Sequence, residues 1–162
     1  MAWQGCWAVL VDAQKGNSNT TDLATDEISV EDLALYSEAF RTVEIYDEIG
    51  LLRLASVNDL LLGAASDIVV SVSGVNAVVA FSIRPSGIKI STRSLSAAIP
   101  ANDLVRAIVD GIGFGGGHRH MAGGFIPAEN LSLSRSVDTS IKHRAIRFLE
   151  EIKKVTADPA LT

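Results

Sequence analysis

The residues able to do chemistry are concentrated in Gly111-Ile112-Gly113-Phe114-Gly115-Gly116-Gly117-His118-Arg119-His120-Met121-Ala122-Gly123-Gly124. Consecutive glycines such as Gly115, Gly116 and Gly117 let a ligand approach the backbone closely and turn several N–H groups towards one anion. His118, Arg119 and His120 follow directly, and a short helical turn opening at His118 would add its N-terminal dipole to the same site. Gly111, Gly113 and Gly116 formally satisfy G-x-G-x-x-G, but that fingerprint must follow a strand and open a helix. Here a helix precedes it, so the dinucleotide-cofactor reading is rejected. The bland alternative is a flexible helix-to-strand connection with nothing bound, and the three basic side chains behind the glycines favour the anion site over it. His118-x-His120 is at most half of a metal site, because no carboxylate lies in the same stretch and Cys6, the only cysteine, is far upstream.

The elements that must position this segment follow from periodicity and turn chemistry. Residues 6–11 read as a strand before a polar loop carrying Gly16 and Asn17. Ser29 and Asp32 form a capping pattern ahead of a helix over about 30–40. Residues 42–47 and 51–55 read as short strands separated by a break at Gly50, and Ser56 with Asp59 repeats the capping pattern before a short helix through Val57, Leu60, Leu61 and Ala64. Three strands are expected in succession at 67–73, 77–84 and 88–94. The turn Arg84-Pro85-Ser86-Gly87 has the Pro and Gly placement of a type I turn. It pairs Ile83 with Ile88, Phe81 with Ile90 and Val79 with Thr92 on an apolar face, leaving Ala80, Ser91, Ser82, Lys89, Val78 and Arg93 on a face that looks open to a ligand. Asn102 or Asp103 is expected to cap a helix whose stripe runs Leu104, Val105, Ile108, Val109 and Ile112, with Gly113 ending it. A strand at 124–127 and a helix over about 139–155, with Ile141, Ala145, Phe148, Leu149 and Ile152 inward, complete the order. The expected fold is α/β, a mixed sheet with an antiparallel hairpin flanked by helices, in a single domain 1–162.

Composition narrows the functional classes. The 162 residues are 48% hydrophobic and 20% charged, which suffices for a buried core and argues against disorder. Fourteen Lys and Arg against 19 Asp and Glu leave a net charge of -5, which excludes bulk electrostatic coating of long nucleic acid while permitting a small basic pocket. With one cysteine, no internal disulfide forms and a cytoplasmic location is the expectation. Met1 to Val11 lacks the basic start of a signal peptide, and no run is long enough for a membrane helix, so no membrane partner is expected.

Gly115 to Gly123 is similar to the GGGH-x-x-A-A-G signature of the DHH-associated domain, the C-terminal substrate-binding domain of the DHH phosphoesterase superfamily. Residues 90–94 and the helix leading into the glycines resemble what precedes that signature, so the likeness covers about 67–127. Met121 departs from the family's first alanine. The resemblance implies that His118 contacts substrate and that Arg93 binds phosphate, which suits a guanidinium fork. It assigns substrate or phosphate binding to Arg93, Gly115, Gly116, Gly117 and His118, with no catalytic residue and no metal ligand in this chain.

The superfamily's two-metal chemistry, with manganese or magnesium, belongs to an Asp-His-His domain. No such motif occurs in the sequence, and His118, His120 and His143 cannot supply the ligand set. The chain therefore reads as a C-terminal fragment or stand-alone domain, inactive alone, that recognises the phosphate or nucleotide of a short oligonucleotide, a dinucleotide or a phosphate-bearing small molecule. Its partner is the N-terminal catalytic domain of the same parent protein. The alternative is a non-catalytic binding or dimerisation module, a homodimer with a structural glycine loop. Arg84 is expected to be a solvated turn residue, the basic side chains of the last helix a solvated face, and Trp3 and Trp7 core or interface residues.

Overall fold

The structure is a computed structural model and describes residues 28–131 and 136–157. Expectations for the strand at 6–11, Cys6, Trp3 and Trp7 lie outside these residues. Helix α1 (Val30–Arg41) starts at Ser29, whose side chain accepts from the Asp32 amide while the Asp32 carboxylate accepts from the Ser29 amide, as the capping pattern requires. Strands β1 (Glu44–Tyr46) and β2 (Ile49–Leu54) pair antiparallel. The turn between them falls at Asp47, with φ 56°, so Gly50 lies inside β2 and does not break it.

Helix α2 (Asp59–Val70) corrects two expectations. Its N-cap is Asn58, which accepts from the Leu61 amide, and the helix takes in 67–70 of the strand expected at 67–73, leaving 71–73 in the turn that follows. Ile68, Val69 and Val70 have strand propensity, but Leu61, Leu62, Ala65 and Val69 lie at helical spacing and bury one stripe against the sheet. Packing of that stripe overrides the local preference.

Strands β3 (Ala77–Arg84) and β4 (Gly87–Ser94) form the expected hairpin, with Ile83 opposite Ile88, Phe81 opposite Ile90 and Val79 opposite Thr92. Helix α3 (Ala101–Val109) begins after Pro100, so Asn102 and Asp103 sit inside it and no side chain caps it. Gly111, not Gly113, takes the positive φ, 70°, beyond its end. Strands β5 (Phe114–Gly117) and β6 (Met121–Pro127), a short 3₁₀ turn (Ala128–Asn130) and helix α4 (Val137–Ala157) follow. The sheet is mixed, six strands in the order β1-β2-β3-β4-β6-β5, with β2 and β3 parallel and the other pairs antiparallel. This is the mixed α/β fold that the sequence implies.

The parallel β2–β3 pair needs a crossover, and α2 supplies it. It lays α2 on the face carrying Val78, Ala80 and Ser82, where Leu52, Leu62, Ala65 and Val69 bury Val78 and Ala80 completely, with Tyr36 and Ala39 of α1 in the same cluster. Helices α3 and α4 cover the other face, where Phe81, Ile88, Ile90, Leu104, Ile108, Ile141 and Leu149 form the second half of the core. The face expected to be open over β3 and β4 is therefore covered by α2.

Candidate functional site

The glycines lie in a sheet hairpin, not in a loop or at a helix start. The register pairs Phe114 with Phe125, Gly115 with Gly124, Gly116 with Gly123 and Gly117 with Ala122. Because successive residues of a strand face opposite sides, the glycine pairs have different surroundings. A β-carbon on Gly124 would lie 2.8 Å from Val105 Cγ2 and 3.1 Å from Val109 Cγ1, and one on Gly115 would lie 3.2 Å from Val105 Cγ2. This pair is what lets α3 rest directly on the hairpin. On the other face, a β-carbon at Gly116 would meet nothing nearer than Arg106 Nη2 at 3.9 Å, and one at Gly123 nothing nearer than the Ile90 carbonyl oxygen at 3.5 Å. Gly117 has φ 152° and no room for a side chain, with Ala122 Cα 2.6 Å from the β-carbon position, so only glycine fits there.

The residues between the strands form a turn, closed by the His118 amide donating to the Met121 carbonyl at 2.8 Å. No helical turn opens at His118. Arg119 and His120 are structural at this turn. The Arg119 carbonyl accepts from the Ala101 amide at 2.7 Å, at the start of α3, and its guanidinium donates to the Ala97 carbonyl at 3.3 Å. The His120 carbonyl accepts from the Ser94 amide at 2.9 Å, and its Nδ1 lies 3.2 Å from the Ser94 carbonyl oxygen. The exposed imidazole of His118 makes no hydrogen bond to any described residue.

Arg93 stands in the same cross-strand row, paired with Val78 on one side and Met121 on the other. Its side chain is only 14% exposed. Nε donates to Asp67 Oδ1 at 2.5 Å, and Nη1 donates to Ser91 Oγ at 3.1 Å and to the Thr92 carbonyl at 3.2 Å. Nη2 lies beside Gly63 of α2, 3.3 Å from the position a β-carbon would take. Asp67 as a partner was hidden from the sequence, because a strand at 67–73 would have placed it elsewhere.

Three cross-strand rows share the face that α2 leaves uncovered over β6 and β5. The first runs Arg93, Met121 and the start of the turn at His118; the second Ser91, Gly123 and Gly116; the third Lys89, Phe125 and Phe114. The middle row has no side chain beyond Ser91, whose hydroxyl accepts from Ser66 Oγ of α2 at 3.1 Å. The result is a trough floored by glycine, with Arg93, Met121 and His118 along one end and Lys89 and two aromatic rings along the other. Phe114 and Phe125 were not foreseen as site residues, although the mirror pattern Phe-Gly-Gly before the turn and Gly-Gly-Phe after it carries the signal of their pairing.

One further cation reaches the floor, Arg106 of α3, whose Nη2 lies 3.9 Å from the β-carbon position of Gly116 and whose side chain is otherwise exposed; the cations that follow are engaged elsewhere. Arg84 is not a solvated turn residue: it donates to Asp59 at 2.7 Å, and Lys89 Nζ lies 3.0 Å from the same carboxylate. The Arg84 hydrogen bond, foremost, together with Lys89, holds the Asp59 carboxyl below the usual carboxylate range. On α4, Lys142 pairs with Glu44, Arg147 with Glu151 and Lys153 with Asp47, while Arg144 donates to the Ile108 and Asp110 carbonyls. Among the described residues, no group of three or more His, Cys, Asp or Glu side chains could hold a metal ion, so the donors described do not fit a two-metal centre.

The protein-family model of the DHHA1 domain matches residues 49–154, from the start of β2 into α4, and so includes the hairpin and Arg93 together. The chain belongs to the DHHA1 domain family. Solved structures agree on the fold. An exopolyphosphatase-related protein from Bacteroides fragilis superposes with a TM-score of 0.60 at 18% identity, over 80% of this chain and 38% of that one. RecJ from Thermus thermophilus in complex with Mg2+ superposes with a TM-score of 0.56 at 18% identity, over 74% of this chain and 17% of that one. The chain thus spans well under half the length of either. No curated protein matches it. Among the described residues of this DHHA1 domain, no helix is long and apolar enough to cross a membrane.

Proposed function

We propose that this DHHA1 domain holds a phosphate of a short oligonucleotide or dinucleotide for a metal-dependent phosphoesterase domain carried elsewhere in the same parent protein, in the cytoplasm. The observation that carries the reading is the side-chain-free floor of Gly116 and Gly123, open on its face and ended by Arg93 and His118. Such a floor lets a ligand lie close against the sheet with no side chain in the way, and a guanidinium already oriented by Asp67 meets its phosphate with little further ordering. The catalytic part would supply the water and the divalent ions, manganese or magnesium; this chain supplies position. RecJ, whose fold contains this one, is known with Mg2+, which suits such an arrangement.

Calorimetric titration with a 5′-phosphorylated dinucleotide tests it. A charge-assisted hydrogen bond contributes roughly 1.5–3 kcal/mol, so Arg93→Ala weakens binding about tenfold or more, and His118→Ala weakens it too. The double variant loses less than the sum, since both side chains act on one group. The isolated chain with manganese or magnesium does not hydrolyse a phosphodiester above background; chelator-sensitive turnover that survives purification would refute this division of labour.

A second reading, a binding or dimerisation module with structural glycines, is favoured by the packing of Gly115, Gly117 and Gly124 and by the internal Arg93–Asp67 bond. Under it, Arg93→Ala and Asp67→Asn both lower stability and neither alters affinity for the dinucleotide.

A further inference from the structure

From the aromatic end of the trough we infer that the ligand is a nucleotide whose base stacks on the Phe114–Phe125 pair, and not an inorganic polyphosphate chain; this rests on the phosphate reading above. The two rings come from neighbouring strands, 5.7 Å apart and tilted by 52°. Phe114 is 65% exposed on an edge strand, where exposed apolar side chains invite unwanted pairing and charged ones are the usual choice. Exposure of a large aromatic there has a use when a flat apolar group covers it. A base is such a group, since every base has a π-face.

Spacing supports the same assignment. Two residues along a strand advance roughly 7 Å, so the floor at Gly116 is one such step from Phe114 and His118 is the next. A base over Phe114 thus leaves the sugar above the bare glycines and the phosphate towards His118 and Arg93. The aromatic end offers an anion little, because the one cation of its row, Lys89, is already held by Asp59 at 3.0 Å. A polyphosphate gains nothing from two phenyl rings.

The test titrates the full chain with two probes, 5′-phosphorylated diadenylate and tripolyphosphate. Phe114→Ala, shown folded by circular dichroism, should weaken the diadenylate about fivefold or more, as loss of one stacked base does, and leave tripolyphosphate unchanged. Phe114→Trp should restore the diadenylate affinity. If Phe114→Ala leaves the diadenylate unchanged, or lowers both probes equally, the base subsite is wrong; a change of oligomeric state with unchanged affinity would assign the rings to contact with another copy of the chain. Arg93→Ala serves as the separate arm: weakening of both probes keeps the phosphate reading standing even where the base subsite fails. Absence of binding of either probe to the unaltered chain overturns both.

Discussion

The two faces of the β5–β6 hairpin use glycine for opposite ends. Towards α3, Gly115 and Gly124 are empty so that Val105 and Val109 can fill the space, and the absent side chains are part of the core. On the opposite face, Gly116 and Gly123 leave room for a side chain, with only the tip of Arg106 at 3.9 Å and the Ile90 carbonyl oxygen at 3.5 Å near the β-carbon positions. One run of glycines therefore carries a packing requirement and a proposed binding floor on alternate residues, and substitution at neighbouring positions separates the two.

The largest effect is expected at Gly117. A valine there needs a positive φ that β-branched residues avoid, and its β-carbon would overlap Ala122 Cα. Gly117→Val should cost about 3 kcal/mol or more of stability, read as a lower urea midpoint; an unchanged midpoint would mean that the hairpin is not built this way. Gly124→Val comes next. Its side chain drives into Val105 and Val109 of α3, and overpacking of this kind costs about 1–3 kcal/mol.

Gly116→Val sharpens the comparison most, because its stability change should stay within about 0.5 kcal/mol, as at other surface positions. Binding of the 5′-phosphorylated dinucleotide should nevertheless be abolished, since the new side chain occupies the trough. A folded Gly116→Val domain with unchanged affinity would make both glycine faces structural. The reason for glycine here is close approach and not φ, since the positive φ of the run belongs to Gly117.

What was legible in the sequence follows the range of the interactions involved. The β3–β4 register was set by a local turn, Arg84 to Gly87, and by a strict period of two, and it is correct residue by residue. The capping box at Ser29 was equally local. Helix α2 was not legible beyond Ala64, because Ile68, Val69 and Val70 prefer strand and only the stripe packed against the sheet makes them helical. That one long-range fact hid two others: the covering of the β3–β4 face and the Asp67 partner of Arg93. The glycines were read as a loop because their strand pairing depends on β6, the neighbour of β4, and glycine itself carries no strand signal. Gly116 and His118 stand out by the chemistry of consecutive glycines as well as by resemblance, and Arg93 by resemblance; the phenylalanines need the register.

The smallest effect concerns the other boundary of the same sheet face, where α2 ends and cover gives way to solvent. Asp59 at the first turn of α2 binds Arg84 and Lys89 and so fastens the helix to the β3–β4 turn. Its folded carboxyl titrates below the ordinary value, chiefly through the Arg84 hydrogen bond. A lowered folded value means that the contribution is complete above the unfolded carboxyl's pKa, about 3.9, and disappears as pH falls through the folded one. With the Asp59 side chain 59% exposed, solvent and salt screen the pair, which limits the effect to less than about 1 kcal/mol. Asp59→Asn should therefore flatten a small part of the acid limb of the stability curve and change dinucleotide affinity at neutral pH far less than Arg93→Ala does, because of the three groups only Lys89 reaches a row of the trough, at its aromatic end. If Asp59→Asn instead weakened the dinucleotide as Arg93→Ala does, the cations of the covered end would belong to the binding face, and the division between a packed and an open half of the sheet would fail.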